Sequence, residues 1–174
     1  MKIINRSKLG KPLTAFYGCN AHPAGFFFLQ LINAMDLMEF VNKYHGKKVD
    51  FDGSFGAQCV DLFRQYCKDV LRAGHTGAVD GAKDLFEKYS DLPAECKYFD
   101  RIKGASPEIG DVCVWGATNT NKYGHVAICL AYDVESGLIV VFEQDGFKQD
   151  GAKIAVRTKN NLLGVLRFTG GRVC

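Results

Sequence analysis

Seven cysteines and four histidines are the side chains from which nucleophilic or metal chemistry would be drawn in this 174-residue chain. Cys59 stands apart from the other cysteines. It follows the run Gly53-Ser54-Phe55-Gly56-Ala57-Gln58 and opens a helical stripe made of Cys59, Leu62, Phe63, Tyr66 and Val70. A thiol in the first turn of a helix faces the positive end of the backbone dipole, which favours a thiolate and hence a nucleophile. The competing reading is a small hydrophobe on an apolar stripe.

His125 stands in Tyr123-Gly124-His125-Val126-Ala127-Ile128-Cys129-Leu130-Ala131. Strand alternation puts it on one face with Ala127, Cys129 and Ala131, whose small side chains leave room beside an imidazole. Residues Asp133 to Gly137 read as a hairpin connection to the next strand. Glu143 then falls near His125, directly opposite in one even register and diagonal in the next, with Asp145 on the same face. A carboxylate on one ring nitrogen fixes the tautomer and leaves the other to exchange a proton with a thiol. Cys59, His125, Glu143 and Asp145 are therefore the candidate catalytic set, while His22, His45 and His75 read as solvated.

A second chemistry overlaps the first. Asp50, Asp52, Ser54, Gly56, Gln58 and Asp61 occupy relative positions 1, 3, 5, 7, 9 and 12, the ligand spacing of a calcium loop. The sixth position, which wants glycine for the sharp turn, is Phe55, and the last is Asp61 rather than glutamate. An acidic turn capping a helix is the alternative, since Asp61 in the first turn stabilises the dipole without a metal.

These residues need elements to hold them. Apolar residues Met35, Leu37, Met38, Val41 and Tyr44 predict a helix from Ala34 to Tyr44, stopped by Gly46. A second helix starts at Cys59 and ends near Gly74, and a third runs from Ala82 to Tyr89. Beyond Pro93 the pattern turns to strands at Val112–Trp115, His125–Tyr132, Leu138–Gln144, Lys153–Arg157 and Gly164–Phe168. Helices first and strands second argue for an α+β domain, with N-terminal helices packed on an antiparallel sheet.

Composition sets the outer limits. With 47% hydrophobic and 24% charged residues the chain suits one core. The net charge of +3 is spread rather than gathered into an arm, so no nucleic-acid partner is expected. The longest apolar run, Phe26 to Ile32, is too short to span a bilayer, which argues against an integral membrane protein. Lys2, Arg6, Lys8 and Lys11 precede that run, but the basic region is too long and polar for a secretory signal. No paired Cys-x2-Cys ligands occur, and Cys113 and Cys129 sit inside apolar runs as core residues, so a reducing site of synthesis is expected.

The segments Asp50 to Leu62, Pro107-Glu108-Ile109-Gly110-Asp111-Val112, Gly124-His125-Val126-Ala127 and Phe142-Glu143-Gln144-Asp145, in that order, resemble the CHAP family. These are cysteine, histidine-dependent amidohydrolases and peptidases of bacteriophage endolysins and bacterial autolysins. The resemblance covers residues 34–169 and implies a papain-like fold for a catalytic domain of residues 34–174. It leaves residues 1–33 as an extension of unassigned role. It further implies Cys59 as nucleophile, His125 as base and then acid, and Glu143 as the group that orients it. An asparagine usually stands in the family where this chain has Asp145. The Cys59 N–H and the Gln58 side chain are the implied oxyanion donors, and calcium-binding members carry an Asp-x-Asp-Gly loop like Asp50 to Gly53. The implied Ca2+ ligands are Asp50, Asp52, Ser54, Gly56 and Asp61.

The implied substrate is bacterial peptidoglycan, cut through a thioester at the N-acetylmuramoyl-L-alanine amide or at a stem or cross-bridge peptide bond. The implied setting is the host cytoplasm until release to the wall, or a virion, with residues 1–33 a candidate contact to phage structural proteins. The alternatives are an NlpC/P60-like peptidase or acyltransferase, and a non-catalytic virion or wall-binding module on the same fold.

Overall fold

The computed structural model describes residues 35–171, so the reading of residues 1–33 as an extension with phage partners lies outside the described residues. The first helix, α1 (Leu37–Tyr44), is set by a capping box in which Asp36 accepts the Glu39 N–H and Glu39 accepts the Asp36 N–H. Helix α2 (Cys59–Tyr66) follows the glycine-rich loop. Instead of continuing regularly towards Gly74, it loosens into a π-turn at Cys67–Leu71 and ends on Arg72, whose φ of 52° is left-handed.

The third helix is shorter than its periodicity predicts. The Lys83 N–H is diverted to the Tyr123 carbonyl at 3.0 Å, and α3 spans only Asp84–Glu87 before a 3-10 turn at Tyr89–Asp91. Two elements beyond it are absent from the sequence reading. Pro93 starts helix α4 (Pro93–Tyr98) instead of ending helical structure, as proline at the first helical position does. It leads into the edge strand β1 (Phe99–Ile102).

Five further strands follow: β2 (Val112–Trp115), β3 (His125–Tyr132), β4 (Leu138–Glu143), β5 (Lys153–Thr158) and β6 (Leu162–Phe168). They form a six-stranded sheet in the order β1-β6-β2-β3-β4-β5, antiparallel at every pairing. The architecture is α+β, with the helices laid on one face. There Phe40, Val41, Leu62, Phe63, Tyr66, Leu85 and Phe86 meet Val112, Val114, Val126, Ile128, Phe142 and Leu166. Phe40, Phe63, Phe99 and Phe142 are fully buried, and truncating such a ring to alanine costs about 3–5 kcal/mol.

The other face is also buried. Cys113, Trp115, Ala127, Cys129, Ile139, Val141 and Val165 form a second cluster, and the Trp115 indole donates to the Thr158 carbonyl at 3.0 Å. Trp115 is on β2 and Thr158 on β5, three strands away in the sheet, so only strong coiling brings them together. Cys113 and Cys129 pack in this interior, and Cys59, Cys67, Cys96, Cys113 and Cys129 are all free thiols.

The Pro107 to Val112 segment is a structural corner. Asp111 is buried, accepts from Arg167 Nε at 3.0 Å and Nη2 at 2.8 Å, and accepts the Glu108 N–H at 2.9 Å. A buried carboxylate held by a guanidinium fork ties the start of β2 to β6. Among the described residues no helix is long and apolar enough to cross a membrane.

Candidate active site

Two side-chain amides, one buried and one half-buried, join the loop before α2 to the end of β4 and the loop after it. Gln144 is fully buried, exchanges hydrogen bonds of 2.7 Å with the Val49 N–H and carbonyl, and donates to the Gln58 carbonyl at 2.8 Å. Gln149 accepts from the Ala57 N–H and donates to the Ala57 carbonyl, both at 3.0 Å. Gly56 lies under that amide with φ +72°, and a Cβ there would come within 2.9 Å of Gln149 Oε1. Glycine is required twice over, by the left-handed backbone and by the close approach. Gln58 caps α2 in extended conformation, and its N–H donates to the Asp61 carboxylate at 2.9 Å.

This arrangement brings the first residue of α2 to the start of β3. Cys59 lies beside the His125 ring and favours its protonated form. On the other side of the ring, His125 Nε2 donates to Glu143 Oε2 at 3.0 Å, which leaves Nδ1 as the nitrogen for sulfur. Pairing of Ile128 with Phe142 puts Ala127 opposite Glu143, so His125 and Glu143 meet diagonally, one of the two registers that alternation allows. Ala131 does not share that face as expected. A bulge at Leu130, between Cys129 and Ala131, turns Ala131 outward and Tyr132 inward against the second cluster.

Glu143 is 3% exposed and is gripped from a third strand. Arg157 on β5 donates from Nη2 to Oε1 at 3.0 Å and from Nε to Oε2. The same guanidinium lies over the Trp115 ring, 5.6 Å from its centroid, and that ring lies 6.1 Å from the imidazole. Burial pushes the Glu143 carboxyl upward, but the hydrogen bonds from His125 and Arg157 prevail and hold it down at about 2. For His125, burial lowers the pKa, yet the hydrogen bonds to Cys59 and Glu143 outweigh it and raise the ring to about 9. The imidazole is thus charged at neutral pH, beside a sulfur at a helix N-terminus. A cysteine beside a charged imidazole, in the first turn of a helix, is the arrangement that nucleophilic attack on a carbonyl carbon uses.

Asp145, expected on the imidazole face, is used elsewhere. Its Oδ1 accepts the N–H groups of Phe147 at 2.9 Å and Lys148 at 3.3 Å, and its carbonyl accepts that of Gln149 at 2.9 Å. It shapes the loop that carries Gln149, an Asx-turn in the space where alternation alone would continue the strand.

The acidic loop converges as its spacing suggests. Ligand oxygens of Asp50, Asp52 and Asp61 lie within 4.8 Å of one another. Phe55, at the sixth position, adopts φ 63°, so a bulky residue makes the left-handed turn for which such loops use glycine. Of the other expected ligands, Ser54 gives its N–H to Asp52 Oδ1 at 3.0 Å and Gly56 lies against Gln149. One cation is already present, since Arg64 Nη1 is 2.8 Å from Asp52 Oδ2. Even so, burial and then repulsion from Asp52 raise the Asp61 carboxyl.

Arg157, Gln144 and Gln149 were not found by reading the sequence. A signal existed for the first: Glu143 pairs with Lys153, so period-two alternation places Arg157 on the Glu143 face. For Gln144 the signal was weaker, a polar residue on the helix-facing side of a strand, which must find partners there.

Known proteins bear on this geometry in sequence and in structure. The chain is 32% identical over 101 residues to the D-alanyl-L-alanine endopeptidase of Streptococcus phage B30, covering 57% of this chain and 21% of that protein. It is 33% identical over 98 residues to endolysin PlyTW of Staphylococcus phage Twort, covering 55% and 20%. It therefore spans about a fifth of the length of these relatives. The crystal structure of endolysin LysIME-EF1 matches at a TM-score of 0.58 and 27% identity, over 75% of this chain and 61% of that one. Ly7917 shares the fold at a TM-score of 0.57 and 20% identity, over 76% and 60%. The CHAP domain profile matches residues 48–145, from the acidic loop through the Glu143 strand end, and the chain belongs to the CHAP domain family.

Proposed function

We propose that this chain is a cysteine-dependent peptidoglycan hydrolase that cleaves a wall amide or peptide bond through a thioester on Cys59. The observation that carries the reading is the placing of Cys59 beside His125, whose ring is bonded on its far side to Glu143. Cys59 sulfur attacks the carbonyl carbon, and the oxyanion is received by the Cys59 N–H at the helix N-terminus and by the Gln58 side chain. His125 Nδ1 protonates the leaving amine as the C–N bond breaks. The neutral ring then takes a proton from water, whose oxygen attacks the thioester and releases the carboxylate and the thiol. Glu143 keeps the ring in one orientation throughout. The name of the Streptococcus phage B30 relative favours a stem or cross-bridge peptide bond over the muramoyl amide. In this reading the protein acts at the wall after leaving the host cytoplasm.

Calcium belongs to the same proposal. Hard carboxylate oxygens from Asp50, Asp52 and Asp61 suit a divalent cation, and Ser54 and Gly56 would add a hydroxyl and a carbonyl oxygen. Bound there, the ion would neutralise the crowded carboxylates and stiffen the loop that leads into Cys59.

The experiment is clearance of a wall suspension by wild type, Cys59→Ala and His125→Ala, with circular dichroism as the control for folding. Both variants are expected to keep the fold and lose clearance. Clearance by folded Cys59→Ala would refute the reading.

A further inference from the structure

Asp145 serves its own loop, its Oδ1 accepting the Phe147 and Lys148 N–H groups, and the carboxylate that accepts from the His125 ring is Glu143. Glu143 must then hold His125 alone, and a carboxylate is a poor clamp by itself. It rotates about its last bond and offers either oxygen. In this site the rotation is blocked from β5.

We propose that Arg157 is the positioning residue of the active site, fixing the one rotamer of Glu143 whose Oε2 accepts from His125 Nε2. The proposal rests on the reading of Cys59 and His125 as the reacting pair. Arg157 takes both carboxylate oxygens at once, Oε1 from Nη2 at 3.0 Å and Oε2 from Nε, so the plane of the carboxylate follows the plane of the guanidinium. The guanidinium carbon itself lies 5.6 Å from the Trp115 ring centroid, within reach of a cation–π contact. Trp115 cannot drift, since its indole N–H is bonded to the Thr158 carbonyl at 3.0 Å, next in the chain to Arg157. Trp115 also pairs directly with His125 across β2 and β3. Arg157, Trp115, His125 and Glu143 thus close a ring of contacts, in which each group limits the next.

A fork is needed for this task, and charge alone does not supply it. Lysine would satisfy Glu143 electrostatically but as a point charge, without defining a plane or stacking on Trp115. Misplacing a reacting group by about 1 Å costs on the order of 100-fold in rate. Arg157→Gln is therefore expected to lower kcat by about 100-fold with KM nearly unchanged, and Arg157→Lys to recover part of that loss.

Two readouts on the same samples test the assignment. The first is the downfield ring N–H proton of His125 followed by NMR, which needs no substrate. It should be protected in wild type, weaker in Arg157→Lys and lost to exchange in Arg157→Gln. The second is a double-mutant cycle with Glu143→Gln on wall-release kinetics. Adding Arg157→Gln to Glu143→Gln should cost far less than it does in wild type, because Arg157 positions His125 through Glu143. A ring proton unchanged in folded Arg157→Gln, or losses that add in the double variant, would overturn the proposal. A wild type with a protected ring proton but inert on every wall would refute the hydrolase reading instead, and the NMR series would still decide the role of Arg157.

Discussion

Replacing Glu143 with glutamine keeps the shape of the side chain and removes its charge, so it isolates what the carboxylate contributes. Burial alone would raise this carboxyl above its ordinary 4.5, yet the hydrogen bonds from His125 and Arg157 hold it at about 2. At about 1.4 kcal/mol per pKa unit, the net depression stabilises the folded state by about 3 kcal/mol at neutral pH. A carboxyl depressed on folding contributes in full above its unfolded pKa of 4.5 and loses that contribution as pH falls through about 2. Glu143→Gln is therefore expected to be less stable than wild type by about 3 kcal/mol at neutral pH. The gap should shrink through the acid range and vanish near the folded pKa of about 2, where the wild-type side chain is also neutral. Urea unfolding of both proteins at several pH values between neutrality and the acid limit measures it. A gap that stays constant across that range would refute the reasoning, because it would mean that the charge of Glu143 is not what the fold uses.

Three other outcomes are expected. Gly124 precedes His125 with φ +73°, and a Cβ there would come within 2.5 Å of the Trp115 carbonyl oxygen and 2.8 Å of Lys83 Cβ. Gly124→Ala should thus lower stability by about 2 kcal/mol or more in urea, together with wall clearance. With His125 raised to about 9, its charge is kept up to that pH and lost above it. The alkaline limb of kcat/KM should lie near 9 rather than at the ordinary 6.5 of the ring, and Glu143→Gln, which removes a raising partner, should move it down. For the acidic loop, titration calorimetry on chelator-stripped protein should detect Ca2+ binding that Asp50→Ala and Asp52→Ala abolish. Silence in the wild type would refute the calcium site.

Parts of this site were legible because they rest on local rules. Strand alternation and a five-residue connection placed β2 and β3 at their observed bounds and put Glu143 within a diagonal of His125. The spacing of the acidic loop likewise anticipated the convergence of Asp50, Asp52 and Asp61. What the sequence concealed depends on partners far along the chain. Gln144 meets Val49 across 95 residues, whereas Arg157, only 14 residues from Glu143 on the neighbouring strand, was within reach of alternation once that pairing was known. The bulge at Leu130 obeys no local signal, and it reversed the facing of Ala131. Asp145 fell between the two cases: alternation assigned it a face, while its own side chain, bonded to the next backbone N–H groups, drew it into a turn. Helix α4 escapes the sequence for a different reason, since the pattern turns to strands beyond Pro93 while the proline itself starts a short helix.

The central claim is that Cys59, paired with His125, breaks an amide of the bacterial wall. Mass spectrometry of the soluble products released from a panel of purified peptidoglycans tests it most directly, with wild type and Cys59→Ala compared under reducing conditions and with calcium supplied. The account predicts fragments carrying one new amine and one new carboxylate, from wild type only, whose masses also identify the bond. Absence of such fragments from every wall, or their equal release by folded Cys59→Ala, would contradict it.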